Sequence, residues 1–147
     1  MQRVFRELLK ADREAWNQLW AGYLEFYEHE LKSDQTELTW QRFFEQEFNL
    51  FAFVAEVDGL VVGIAHCSFT NSTWSKTPDL YLEDLFVSPE MRQQGLGEFL
   101  INGCADFALA RGARRLYWQT HKDNETAQKV YRKVAVKSDF VTFEKTL

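Results

Sequence analysis

Apolar positions recur along this chain with two periods, and the switches between them lay out its elements. Val4–Glu7 predicts a short first strand. Asp12 is placed to cap a helix in which Ala15, Trp16, Leu19, Trp20, Tyr23 and Tyr27 return at helical spacing, ending near Glu28. The polar run from His29 to Glu37 predicts a loop, and Thr39 the cap of a second short helix carrying Trp40, Phe43 and Phe44. Two β-branched and aromatic runs, 50–57 and 60–69, then flank Asp58-Gly59, a dipeptide suited to the positive φ angles of a type I′ hairpin turn. Asn71-Ser72 and Pro78 mark a surface loop, after which Leu80–Val87 resumes strand character. Strict alternation there puts Glu83, Leu85 and Val87 on one face and Leu82, Asp84 and Phe86 on the other, so that one of the two carboxylates points into a largely apolar layer.

The helical period returns near Gly95 with Leu96, Leu100, Cys104, Phe107 and Ala108, and stops at Arg111-Gly112, a pairing suited to a C-cap. A strand over Arg115–Thr120, a helix over Glu125–Val134 and a final strand over Phe140–Leu147 complete the pattern. The order β-α-α-β-β-β-α-β-α-β predicts one α/β domain over 1–147, a mixed sheet flanked by helices.

Composition narrows the function. With 147 residues, 46% of them apolar and 16% aromatic, the chain has material for a single core and is not disordered in general. A net charge of −5 argues against a nucleic-acid partner. The longest apolar run, Leu50–Ala55, is too short for a bilayer, and the start MQRVFRELLK carries no signal region, so a soluble, cytoplasmic protein without a membrane partner is expected. Cys67 and Cys104 fall in apolar-periodic segments with no CxxC spacing and predict buried free thiols; His29, His66 and His121 are scattered and predict no metal site. The charge is also unevenly distributed: residues 1–91 hold 7 basic against 16 acidic side chains, a balance of −9, whereas residues 92–147 hold 10 against 6, a balance of +4. Such a division suits a molecule that meets something cationic with one part and something anionic with the other.

The segment YLEDLFVSPEMRQQGLGEFL concentrates the chemistry. Strand, turn, Arg92-Gln93-Gln94-Gly95-Leu96-Gly97 and helix follow one another, which brings unpaired helix-start amides, glycine and a guanidinium to one place suited to phosphate oxygens. Taken alone, the glycines also suit a tight strand-to-helix turn and nothing more. The dinucleotide and P-loop patterns both fail, the first because residue 100 is Leu, the second because no Lys follows the glycines.

The spacing R-x-x-G-x-G after a strand resembles the pyrophosphate-binding signature of the GNAT acyltransferase superfamily, which binds acetyl-CoA. YLEDLFV before the loop, and Asn124, Ala127 and Tyr131 in the later helix, are similar to the spermidine/spermine acetyltransferase branch. WNQLWAGYLEFYE resembles the first helix of small yeast GNAT enzymes assigned to histones, polyamines or D-amino acids. One departure stands out: Val134-Ala135 occupies the place where the family has a glycine soon after the tyrosine, which bears on the last hairpin.

The resemblance implies the GNAT fold, with a mixed, mostly antiparallel sheet, acetyl-CoA as co-substrate and no metal. It implies direct acetyl transfer to the primary amine of a small molecule, a polyamine or diamine first. Protein lysines, histones and amino acids are the alternative acceptors, and a non-catalytic acyl-CoA sensor is the alternative of another class. A homodimer joined through C-terminal strands is also implied. Residue by residue, Leu85, Phe86 and Val87 would offer backbone groups to the pantetheine arm, and Arg92, Gln93, Gln94, Gly95, Leu96 and Gly97 would hold the pyrophosphate. Asn124 and Ala127 would meet the pantetheine or diphosphate region, and Lys133, with Lys129 and Arg132 nearby, the adenosine phosphates. Tyr27, Glu28, Glu83 and Asp84 would line the acceptor side, with Glu25 and Glu30 adding negative charge.

Two catalytic roles follow from chemistry as well as resemblance. An alkylammonium of pKa about 10.4 is neutral to under ~0.1% at pH 7, so a base is needed, and Glu83 is the candidate. The departing thiolate needs a proton donor, for which the Tyr131 phenol, protonated at neutral pH, is suited.

Overall fold

Asp58 and Gly59 take φ of +50° and +84°, and the turn they make joins the two central strands of the sheet. The computed structural model describes residues 1–147. Its five strands are β1 (Arg3–Glu7), β2 (Phe51–Val57), β3 (Leu60–Thr70), β4 (Asp79–Val87) and β5 (Leu116–Trp118), ordered as numbered. The first four pair antiparallel and β5 joins β4 in parallel. The helices are α1 (Arg13–Phe26), α2 (Ser33–Arg42), α3 (Leu96–Ala110) and α4 (Glu125–Val134).

Two apolar layers clasp the sheet. On one face Trp16, Leu19 and Trp20 of α1 and Trp40 of α2 bury Val54, Ile64 and Phe86. On the other, Leu100, Ile101, Cys104 and Ala108 of α3 bury Phe53, Ala65, Cys67, Leu80 and Leu82, with Tyr131 and Val134 of α4 packed at the margin. Each large aliphatic side chain so buried contributes about 1.5–3 kcal/mol.

Four expectations need correction. Asp12 stands at the N-cap of α1 as expected but makes no side-chain capping bond, because its carboxylate accepts from the Leu9 amide at 2.7 Å and from Arg6 at 2.8 Å. The second helix starts at Ser33 rather than Thr39; of its residues only Trp40 is buried, so it left almost no apolar period to read. Phe140–Leu147 is not a strand: Ala135 takes an extended conformation (φ −153°, ψ 174°) where a left-handed turn would fold the chain back, and the tail runs on exposed.

The fourth concerns β4. His66 of β3 lies opposite Asp84, but its neighbour Cys67 lies opposite Leu82, so Glu83 is an extra residue, a β-bulge. The bulge changes the parity of the strand. Leu80 and Leu82 pack toward α3, as do Leu85 and Val87, whereas Phe86 packs toward α1 and Asp84 meets His66 there. Leu82 therefore does not share a face with Asp84 and Phe86, and Glu83 does not share one with Leu85 and Val87.

Candidate active site

β4 and β5 run side by side only from Leu80–Leu82 against Leu116–Trp118. Beyond that, the β4 edge over Glu83–Val87 has no strand partner on the β5 side, which leaves its outward backbone groups open. A substituted amide chain such as pantetheine can be held by such an edge as a further strand would be. Arg92 already occupies one position, its Nε donating to the Val87 carbonyl at 3.1 Å while its guanidinium lies 5.0 Å from the Phe86 ring centre.

The loop after β4 fits an anion. Gln93 and Gly95 hold φ of +63° and +76°, bending the chain sharply into α3. None of the amides from Gln93 to Glu98 donates to a protein acceptor; the first helical bond is Phe99 N–H to the Gly95 carbonyl at 3.0 Å. Six free amides at the positive end of a fifteen-residue helix suit a diphosphate. Packing does not require the glycine at 97, since a Cβ at that position would meet no protein atom within 4 Å. Arg3 of β1, which no local pattern places here, donates to the Gln94 carbonyl at 2.5 Å and braces the loop.

Tyr131 of α4 meets Trp118 of β5 edge-on at 5.4 Å. Burial, then the nearby Tyr27 hydroxyl, raises its pKa, so it keeps its proton beyond neutrality. Asn124 caps α4, its Oδ1 accepting from the Ala127 amide at 3.3 Å; that commits its oxygen to the helix and leaves its amide nitrogen. Lys133 is exposed in the last turn, beside Arg132, which is shared with Glu125 at 3.9 Å. Thr120, just beyond β5, has a buried hydroxyl without a partner.

The bulge places two carboxylates in different surroundings. Glu83 stands exposed, without an ion-pair partner, and loss of surrounding water followed by the Asp84 charge raises its pKa. Asp84 turns inward, accepting from His66 Nδ1 at 2.9 Å. Tyr23 and Tyr27, their rings 4.8 Å apart at the end of α1, both feel the Asp84 charge after burial, and their pKa values rise. Glu28 follows in a left-handed conformation (φ +51°), exposed and without an ionic partner, and is not drawn into this group. His66, Trp16 and Tyr23 were the residues sequence reasoning missed; the available signal was a histidine at an inward position of an otherwise apolar strand.

The model of the acetyltransferase (GNAT) family matches residues 7–135. The chain is 32% identical over 145 residues to the D-amino-acid N-acetyltransferase HPA3 of Saccharomyces cerevisiae, covering 97% of this chain and 89% of that protein. It is 28% identical to an aminoglycoside N(6')-acetyltransferase type 1 of Salmonella enteritidis, over 86% of each chain. Over 72 residues, 49% of this chain and 42% of the relative, it is 39% identical to a thialysine N-epsilon-acetyltransferase of Bos taurus. Among solved structures, AAC(6')-Iy in complex with the bisubstrate analogue CoA-S-monomethyl-acetylneamine superposes with a TM-score of 0.82 at 24% identity, over 100% of this chain and 99% of that one.

The chain belongs to the GNAT family of acetyltransferases. It is an N-acetyltransferase that uses acetyl-CoA, and an enzyme rather than a sensor of acyl-CoA. No helix is long and apolar enough to cross a membrane.

Proposed function

We propose that this enzyme acetylates a primary amine of a small polyamine or diamine, with Glu83 as base and Tyr131 as acid. The observation that carries the reading is the pair of adjacent carboxylates that the bulge sets at the open β4 edge, one open and raised in pKa, the other anchored to His66. Acetyl-CoA when bound supplies the activated acetyl thioester. The free amides of Gln93–Glu98 would hold its diphosphate and the β4 edge at Leu85, Phe86 and Val87 its pantetheine, with Arg92, Asn124, Ala127 and Lys133 around it.

The protein's own groups then divide the proton chemistry. Asp84, with Tyr27 beside it, draws the cationic acceptor; Glu83 takes a proton from the ammonium nitrogen, for which a raised carboxyl pKa is an advantage at neutral pH. Tyr131 holds a proton at Oη for the leaving side. Glu28 would extend the acidic rim. Names of relatives agree on the chemical class: a D-amino acid, an aminoglycoside and thialysine each present an amine.

The yeast relative favours a second reading, an amino-acid acceptor. Such a substrate brings a carboxylate next to its amine, and Glu83 and Asp84 repel it. A panel of diamines, polyamines, D- and L-amino acids, an aminoglycoside and lysine peptides, followed by thiol release, tests the choice. Diamines and polyamines are expected to have the highest kcat/KM, and Tyr131→Phe to lower kcat about 100-fold on them. Turnover of amino acids or peptides alone would overturn the polyamine reading.

A homodimer is part of the same proposal. The tail beyond α4 exposes Val136, Phe140, Val141 and Phe143, and it touches its own chain through Gln119 to Thr142 at 3.1 Å and through Phe140 against Trp74. A second copy's tail, laid along the short β5 edge, would cover these side chains. A cytoplasmic setting accords with Cys67 and Cys104, whose sulfurs stand 3.7 Å apart as free thiols.

A further inference from the structure

We propose that His66 is a positioning residue for the acceptor site, aiming the Asp84 carboxylate at the incoming ammonium, and that Trp16 locks the imidazole in the one tautomer able to do so. The inference rests on the amine-acetyltransferase reading and extends it to three side chains behind the site. Trp16 is fully buried and His66 has 2% of its surface exposed, so neither touches a ligand; Asp84, at 14% for its side chain, is the member that reaches the opening.

The tautomer follows from donor chemistry. An indole nitrogen can only donate, and Trp16 Nε1 lies 3.0 Å from His66 Nε2, so Nε2 must be the unprotonated, accepting nitrogen. The ring proton is then on Nδ1, 2.9 Å from Asp84 Oδ2, and the hydrogen bond runs from imidazole to carboxylate. A second proton on Nε2 would set two N–H groups head to head at that 3.0 Å, so the ring cannot serve as the proton sink of the reaction. Its plane is fixed by Trp20 and Phe43, whose ring centres lie 5.2 and 4.7 Å away. The titratable groups facing His66 and Asp84 are Tyr23 and Tyr27 from α1, Glu83 and Tyr81 from β4, and Cys67 through the sheet; none is cationic, and besides His66 only the Tyr23 hydroxyl comes within hydrogen-bonding reach of the carboxylate. Asp84 has one oxygen committed to His66 and is suited to holding a cation, whereas Glu83, with no such donor, is free to take the proton.

Two isosteric substitutions separate the bonds. An asparagine at 66 sets its amide nitrogen where Nδ1 stands and still donates to Asp84; a glutamine reaches the Nε2 position, keeps an acceptor for Trp16 and leaves Asp84 without its imidazole donor, the Tyr23 hydroxyl alone remaining beside it. His66→Gln is expected to raise the acceptor KM about tenfold, with the acetyl-CoA KM unchanged, and His66→Asn to recover most of that loss. Trp16→Phe removes the donor to Nε2, and the acceptor KM should rise with the acetyl-CoA KM unchanged. Nitrogen NMR of the substrate-free enzyme should find the His66 ring protonated at Nδ1 alone. An Nε2-protonated ring in the wild type, equal acceptor KM values for the asparagine and glutamine variants, or parallel changes in both KM values would overturn the inference. If the wild type acetylates no amine, the proposed function fails, and the NMR measurement alone decides whether the tautomer lock exists.

Discussion

Glu83 and Asp84 are the same chemical group one residue apart, and their surroundings make them different reagents. Glu83 has lost water without gaining a donor, so its protonated form is favoured more than in free chain. A base must be deprotonated to act, so the acidic limb of the kcat/KM profile should lie above the ordinary glutamate range of about 4.3, and Glu83→Gln should remove both that limb and most of the rate, about 100-fold. The stability effect has the opposite sign. With a folded-state pKa raised above the unfolded value, stability is lost as pH rises through that interval, so at neutral pH Glu83→Gln should melt no lower than the wild type. Thermal melts beside pH profiles check both; a variant that loses activity and melts lower would mean that Glu83 is a structural carboxylate.

At the level of elements, the helix start and the bulge were legible to different degrees. Asp58-Gly59, α3 and α4 could be read from residues 58–134, because turn chemistry and helical apolar spacing are local properties. The bulge at Glu83 could not, since alternation assumes one side chain per register position and an extra residue is visible only against β3. The loop before α3 carries the element-scale prediction. Because a Cβ at Gly97 meets no protein atom, Gly97→Ala should leave the melting temperature unchanged or slightly higher, helix interiors favouring alanine by about 1 kcal/mol, while weakening CoA about tenfold in calorimetry. Unchanged CoA affinity would remove this helix start from the cofactor site.

Across the whole molecule, the charge division acquires a location. Of the cations after residue 91, Arg114 and Arg115 are spent on buried Asp79, both within 3.0 Å, and hold β5 to β4. Arg92 remains by the loop before α3 and Lys129, Arg132 and Lys133 on α4, while Glu83 and Asp84 lie at the bulge of β4. The exposed tail sets the prediction at this scale. Wild-type protein should sediment as a dimer, and a chain ending at Ala135, or the double variant Phe140→Asp with Phe143→Asp, as a folded monomer. A wild-type monomer at micromolar concentration would exclude the tail as an interface.

What this sequence determined by itself was local: most of the helices and strands, a glycine-bearing helix start after a strand, and a resemblance carried by residues 81–97 and 124–131. Each depends on side chains close together in the chain, where spacing and backbone preference suffice. Tertiary structure alone decided which carboxylate faces His66, that six amides are left unbonded, and that the last segment forms no strand. The physical reason is that bulges, hydrogen-bond partners and desolvation are relations between segments dozens of residues apart, and a sequence period carries no information about what lies opposite.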